Sequence, residues 1–129
     1  MYSATEDQQD LFQSLLEQQR LLYAMKVTQK EYQNAVLALL ELAFKDCGGA
    51  RFAAQVLLSI YDGDRWKADL AGICCGLDSY YFHSALLVLR GRALLMREPH
   101  AVIEDGEKRF KALAEDWDFL ATPAPRAHA

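Results

Sequence analysis

The 129-residue chain contains no long apolar run. Its longest apolar stretches fall well short of the ~20 residues that a membrane-spanning helix requires. The N-terminus also lacks the basic start and the apolar segment of a signal peptide. Only three cysteines are present, Cys47, Cys74 and Cys75, and an odd set with two adjacent members is a poor disulfide framework. We therefore expect a cytoplasmic protein with reduced thiols and no membrane contact.

Basic residues do not predominate either. The net charge is -4 and the pI is about 5.3, which argues against general nucleic-acid binding because that requires basic surface facing the phosphates. The hydrophobic fraction is 52%, which is too high for a disordered chain and typical of a globular one. The length suits a single domain, which we place at residues 1–120.

Catalytic signatures are missing as well. Neither a Gly-x-Ser-x-Gly elbow nor a glycine-rich phosphate loop occurs. Zinc ligands could come from five residues: Cys47, Cys74, Cys75, His83 and His100. The adjacent Cys74 and Cys75 do not have the two- to four-residue ligand spacing of structural zinc sites. Cys47 is predicted at a helix C-terminus, where the helix dipole disfavours a thiolate. We thus assign no catalytic, cofactor or metal residues, and keep a small enzyme or metal-binding protein as an alternative.

Helical periodicity is what the sequence does contain, and it predicts an all-α fold of about five helices. We expect the helix near residues 78–96, capped by Asp78, to be central and the most buried, because it is apolar nearly all round. Its apolar positions are Tyr81, Phe82, Ala85, Leu86, Leu89 and Ala93. Residues 121–129 are rich in proline and alanine, and we expect them to form a disordered tail.

The remaining helices are delimited by turn residues. One helix should end at Gly48 and Gly49, the next at the turn 62–64, and the last should span about 104–119. The stretch 65–77 is the least regular. In it, Asp69 could cap one short turn, and a brief strand around Ile73 is conceivable.

The N-terminal segment, from about residue 6 to 25, is an amphipathic helix by its spacing. Ser3 and Glu6 resemble a capping box at its start. Thr28 and Glu31 form a second such pair, which would begin a new helix. No glycine or proline interrupts the segment, so one long helix through Thr28 is an equal alternative.

Residues 1–27 are the best candidate for a dimerisation element. The apolar face that includes Leu11, Leu15 and Leu22 could dock on the core or pair with a second copy. Extended to Tyr32 and Leu39 it forms only a ragged heptad, which is weak evidence for a coiled coil. We expect a homodimer.

Two further groups are candidates for binding a partner. Arg65, Trp66 and Asp69 lie in the irregular stretch, and a tryptophan in such a loop is a common binding element. The alternative is that Trp66 fills the core. The second group consists of three arginines near the end of the apolar helix: Arg90, Arg92 and Arg97. They either complement the helix dipole or form a basic patch for an acidic partner or a phosphate backbone.

From about residue 40 to 117 the chain resembles an uncharacterised family of small bacterial proteins encoded on plasmids and integrated mobile elements. The residues that carry the resemblance are mostly core and capping positions: Leu40 to Ala43, Asp46, Gly48, Arg51, Ala54, Leu57, Leu58, Tyr61, Gly63, Trp66, Asp69, Leu70, Asp78, Ala85 to Leu89, and Phe110 to Trp117. The resemblance implies a helical fold and a mobile-element setting, without a mechanism.

These observations lead to one functional expectation and two alternatives. We expect a non-enzymatic protein–protein interaction module of a mobile genetic element, one concrete form being an anti-CRISPR-like inhibitor of a host defence system. The first alternative is a nucleic-acid-binding regulator with a local basic patch. The second is the small enzyme or metal-binding protein considered above.

Overall fold

The computed structural model describes residues 4–123, and these residues form helices without any strand. The α-helices are α1 (Ala4–Ala24), α2 (Gln29–Ala43), α3 (Ala50–Tyr61), α4 (Leu70–Gly76), α5 (Ser79–Leu95) and α6 (Gly106–Asp116), and 3-10 helices lie at Pro99–Val102 and Asp118–Leu120. The all-α prediction is confirmed. The strand conceived around Ile73 is wrong, because this residue lies in α4, which Asp69 caps as the sequence suggested.

Thr28 separates α1 from α2, so the two-helix alternative holds and the continuous helix does not. The Thr28 hydroxyl accepts a hydrogen bond from the Glu31 backbone N–H at 3.1 Å, and the Glu31 carboxylate accepts one from the Thr28 N–H at 2.9 Å. This reciprocal pair satisfies two donors that a helix start otherwise leaves unbonded. The hydrogen bond from the Thr28 backbone, followed by one from the Thr28 side chain, lowers the pKa of the Glu31 carboxyl.

Helix α2 is the centre of the molecule, which corrects the expectation that α5 would be the most buried helix. α2 packs against both α5 and α3, and seven of its 15 residues are buried. Helix α5 buries four of 17. Helix α5 has apolar residues on most of its sides, but other helices cover only some of those sides. Leu86 and Leu89 are therefore exposed.

The close packing of α2 on α5 depends on Gly91. A Cβ atom at this position would overlap the ring of Tyr32, which is fully buried. The Tyr32 hydroxyl donates a hydrogen bond to the Arg97 carbonyl at 2.7 Å. Burial raises the pKa of Tyr32 to about 12. The glycine that costs helix α5 conformational stability is therefore a packing residue.

Contacts remote in sequence lie at two other boundaries. Helix α2 ends at Ala43, before the predicted glycine stop, and the Trp117 indole N–H donates to the Ala43 carbonyl at 3.2 Å. Thr122, which the sequence analysis assigned to the tail, is tied to the body, since its N–H donates to the Arg65 carbonyl at 2.6 Å. Ser3 and residues 124–129, on which two of our predictions fall, lie outside the described residues.

Candidate partner-binding surfaces

Helix α1 stands apart from the rest of the chain. Every side chain from residue 5 to 26 is exposed, and α1 contributes nothing to the hydrophobic core. The core begins at Val27 and extends through the remainder of the described chain. We call residues 27–122 the body. With 21 residues, α1 is about 30 Å long.

One side of α1 is apolar, and we call it the α1 stripe. Leu11, Leu15 and Leu22 follow steps of four and seven residues, which places them on one helix face. Flanking positions broaden this face, and all the large apolar residues of the segment are between 39% and 77% exposed. The members of the α1 stripe are Leu11, Phe12, Leu15, Leu16, Leu22 and Tyr23.

An isolated helix with such a stripe is unfavourable in water. Short helices without tertiary packing are marginally stable, because most helix stability in proteins comes from packing of the apolar face. Contiguous apolar patches of more than a few hundred Å² are rare on monomers and mark interaction sites. Within residues 4–123, the α1 stripe is therefore the strongest candidate for a partner-binding surface.

Charge is distributed unevenly along α1. The first part of the helix carries Glu6, Asp7 and Asp10 without a nearby cation on α1. The last part carries Arg20, and Lys26 follows just after the helix. Glu17 forms an ion pair with Arg20 at 2.7 Å, one turn apart. The two ends of α1 therefore have opposite electrostatic character.

A second apolar surface lies on the body, between α3, α4 and α5. It is a groove of about 220 Å³, which is smaller than a typical small-molecule pocket of ~300–1,000 Å³. Leu70 is 70% exposed and Leu89 is 50% exposed at its margins. Its lining comprises Val56, Ser59, Ile60, Ala68, Leu70, Ile73, Cys74, Phe82, Ala85, Leu86 and Leu89. The groove suits one or two apolar side chains.

Arg65, Trp66 and Asp69, which the sequence analysis gave as partner-binding candidates, all make contacts within the body. Trp66 is only 7% exposed and belongs to the core, so it forms no exposed edge. The Arg65 side chain donates from Nε to the Thr122 carbonyl at 2.9 Å, and its guanidinium lies 3.9 Å from the Asp118 carboxylate. Asp69 accepts a hydrogen bond from Gly72 N–H at 3.0 Å. Each therefore has a structural role.

The three arginines divide between two sides of α5: Arg92 and Arg97 both act on Tyr32, whereas Arg90 acts on Glu31. Gly91 faces Tyr32, so its neighbours Arg90 and Arg92 project to opposite sides of the α2–α5 contact, at about 100° per residue. Arg97 lies beyond the end of α5 and donates a hydrogen bond to the Ala101 carbonyl at 3.2 Å. Arg90 is therefore not part of a common basic patch with Arg92.

A polar cluster that the sequence did not indicate connects α3, the first 3-10 helix and α6. Glu107 accepts a hydrogen bond from the Tyr61 hydroxyl at 3.3 Å and lies 3.3 Å from His100 Nε2. Burial, followed by the Glu107 charge, raises the pKa of Tyr61. His100 Nδ1 is buried without a hydrogen bond, 3.5 Å from Glu98. Neither His100 nor Glu107 lines the neighbouring cleft, whose border includes Tyr61 and Arg65, so the cluster is best interpreted as packing.

Metal ligands do not assemble within residues 4–123. No group of three histidine, cysteine or acidic residues is placed to hold a metal ion there. Cys47, Cys74 and Cys75 are all exposed free thiols. Along the same stretch, no helix combines the length and the apolar character needed to cross a bilayer.

Sequence comparison assigns the body to a family. Residues 33–118, about two thirds of the chain, match a family of unknown function, DUF7673. The chain belongs to this family. The expected resemblance to an uncharacterised family over about 40–117 is confirmed at that level. No curated protein and no solved structure matches the chain. Helix α1 lies outside the matched DUF7673 region, so α1 is distinct from the family body in sequence as well as in packing.

Proposed function

We propose that this DUF7673 protein is a non-enzymatic protein–protein interaction module that self-associates through α1. The observation that carries the proposal is the exposure of the whole segment 5–26 together with its apolar stripe. Removing partly exposed apolar side chains from water is the main favourable contribution to association. Within the described body, the clusters that could support chemistry already have structural partners.

A second copy of the chain is the partner that fits this surface. The α1 stripe runs along one continuous helix of 21 residues, so the same helix of a second copy can cover it over its whole length. The apolar face of one α1 can be covered by the same face of a second α1, because two-fold pairing brings the same patch of both copies together. The acidic and basic ends of α1 also complement each other between copies.

The test is the solution mass of two variants that introduce the same charge on opposite faces of α1. Leu15→Asp places a carboxylate in the α1 stripe, and Gln13→Asp places one on the polar face about 200° of helix rotation away. Burying an unpaired charge at an apolar contact costs several kcal/mol. We expect a dimer for the native chain and for Gln13→Asp, and a dissociation constant at least ~100-fold higher for Leu15→Asp, equivalent to about 3 kcal/mol.

Light scattering over a wide concentration range measures this difference. Circular dichroism of each variant serves as the control for folding of the body. A native chain that is monomeric throughout the range, or equal dimerisation of both aspartate variants, would contradict self-association through α1.

A more specific function rests on the family resemblance and not on geometry. We propose that the module belongs to a mobile genetic element and inhibits a host defence system, as an anti-CRISPR-like protein does by binding a defence protein. Expression in a bacterium with an active CRISPR system tests this. Restored transformation by a targeted plasmid, lost in the Leu15→Asp variant, is the expected result, and unchanged interference would contradict it.

A further inference from the structure

We infer that the two α1 helices of the self-associated protein pair in antiparallel orientation, an inference that rests on the proposed function. The orientation matters because it decides where the two bodies lie. An antiparallel pair carries one body at each end of a rod about 30 Å long. It thereby leaves both α3–α4–α5 grooves separate from each other.

Charge along α1 favours this orientation. In a parallel pair, Glu6, Asp7 and Asp10 of both copies would bring six carboxylates to one end. In an antiparallel pair, each acidic end lies beside the end that carries Arg20 and Lys26. The helix dipoles favour the antiparallel orientation too, because the positive N-terminus of one helix then lies beside the negative C-terminus of the other.

The space required by the bodies favours it as well. The body follows the C-terminal end of α1 after a short connector, and Val27 at the end of that connector is buried in the core. Paired helix axes are about 8–10 Å apart, whereas a domain of ~100 residues has a radius of gyration of about 13 Å. Two bodies leaving the same end of a parallel pair would therefore have to diverge to opposite sides of it, whereas an antiparallel pair places them at opposite ends.

The spacing along α1 is compatible with one such register. Residues 8, 11, 15, 18, 22 and 25 alternate in steps of three and four, the spacing of a heptad seam, although Gln8 and Gln18 are polar and Met25 lies just beyond α1. In the antiparallel register that pairs Leu11 with Leu22 of the second copy, Gln8 lies opposite Met25 and Leu15 lies opposite Gln18. The leucines then form two apolar layers on either side of a central glutamine-containing section.

Disulfide trapping distinguishes the two orientations. The exposed thiols are first removed as Cys47→Ser, Cys74→Ser and Cys75→Ser. Full chains carrying Gln8→Cys or Met25→Cys alone, with affinity tags of different mass, are then mixed and oxidised at a concentration where the mass is dimeric. We expect the 8–25 heterodimer as the main cross-linked species. Homodimers linked 8–8 and 25–25 would establish the parallel pair and overturn the inference.

The proposed function and the orientation can fail separately in this experiment. A monomeric mass before oxidation contradicts self-association itself. A dimeric mass without any disulfide between the α1 helices contradicts the proposed antiparallel register and overturns the inference.

Neutralising the acidic end of α1 is an independent test, because it should change the dissociation constant in opposite directions for antiparallel and parallel dimers. In the native sequence, combined Asp7→Asn and Asp10→Asn should weaken an antiparallel dimer about fivefold at low salt, given the modest energies of exposed charge pairs. The same change would tighten a parallel dimer by relieving repulsion. Asp46→Asn with Asp116→Asn removes equal charge from the exposed surface of the body and should leave the dissociation constant unchanged. A tighter dimer after neutralisation of α1 overturns the inference.

Discussion

Helices α1 and α2 are neighbours in sequence and have similar leucine-rich spacing, but their leucines differ in burial. In α2, Leu39 and Leu40 are fully buried between other helices, whereas Leu11 and Leu15 of α1 are about half exposed. Apolar periodicity thus identifies a face without identifying what covers it. The family match draws the same boundary, since it includes most of α2 and none of α1. The apolar residues of the body form its core, and under the proposed function those of α1 serve association.

The largest expected difference between the two regions comes from truncating one phenylalanine in each. Phe110 is fully buried and Phe12 is exposed. Phe110→Ala should lower the free energy of unfolding by about 3–5 kcal/mol, because a cavity is added to the lost burial. Phe12→Ala should change it by less than ~0.5 kcal/mol at concentrations where the chain is monomeric. Urea denaturation followed by circular dichroism measures both, and similar losses would remove the distinction between the regions.

A smaller effect is expected at the boundary itself. Thr28→Ala removes the hydroxyl that accepts from the Glu31 N–H at the start of α2. Loss of such a cap costs about 1 kcal/mol, and the cost should appear in the unfolding of the body because α2 is its central helix. Thr5→Ala in the exposed first turn of α1 is the matched control. An equal loss in both variants would show that α1 is as much a part of the folding unit as α2.

The smallest expected effect is the pH dependence contributed by Glu31. Its pKa is lowered from 4.5 in the folded chain, so its ionised form stabilises the fold above the unfolded pKa. This contribution disappears as the pH falls through the folded pKa. Glu31→Gln keeps a capping-box acceptor but does not titrate. Its unfolding free energy should therefore fall less steeply below about pH 4.5 than that of the native chain, and identical slopes would contradict this assignment.

Local signals in the sequence predicted local structure well. The capping box at Thr28, the helix stop at Asp62 and the cap at Asp69 each depend on residues within a few positions, and the structure contains all three. Trp117 could not be assigned to the end of α2 in this way, because it is 74 residues from the carbonyl that it contacts.

Burial of whole faces depended on the arrangement of helices and was less predictable. Helix α5 is apolar all round, yet its principal partner α2 covers one side only. Trp66 and Arg65 looked available for a partner because their stretch of the sequence is irregular. In the structure Trp66 is buried in the core, and the Arg65 side chain donates a hydrogen bond to the Thr122 carbonyl. The stripe of Leu11, Leu15 and Leu22 was identifiable from spacing, but its exposure to solvent became evident only from the fold.

Comparison of the full chain with a chain lacking residues 1–25 tests the central claim most directly. The shortened chain retains Val27 and every other buried residue of the core. Sedimentation equilibrium and thermal unfolding at low concentration should show a dimer that becomes a monomer on shortening, with the melting temperature of the body unchanged. A shortened chain that remains dimeric, or that no longer unfolds cooperatively, would contradict the assignment of α1 to association and the body to folding.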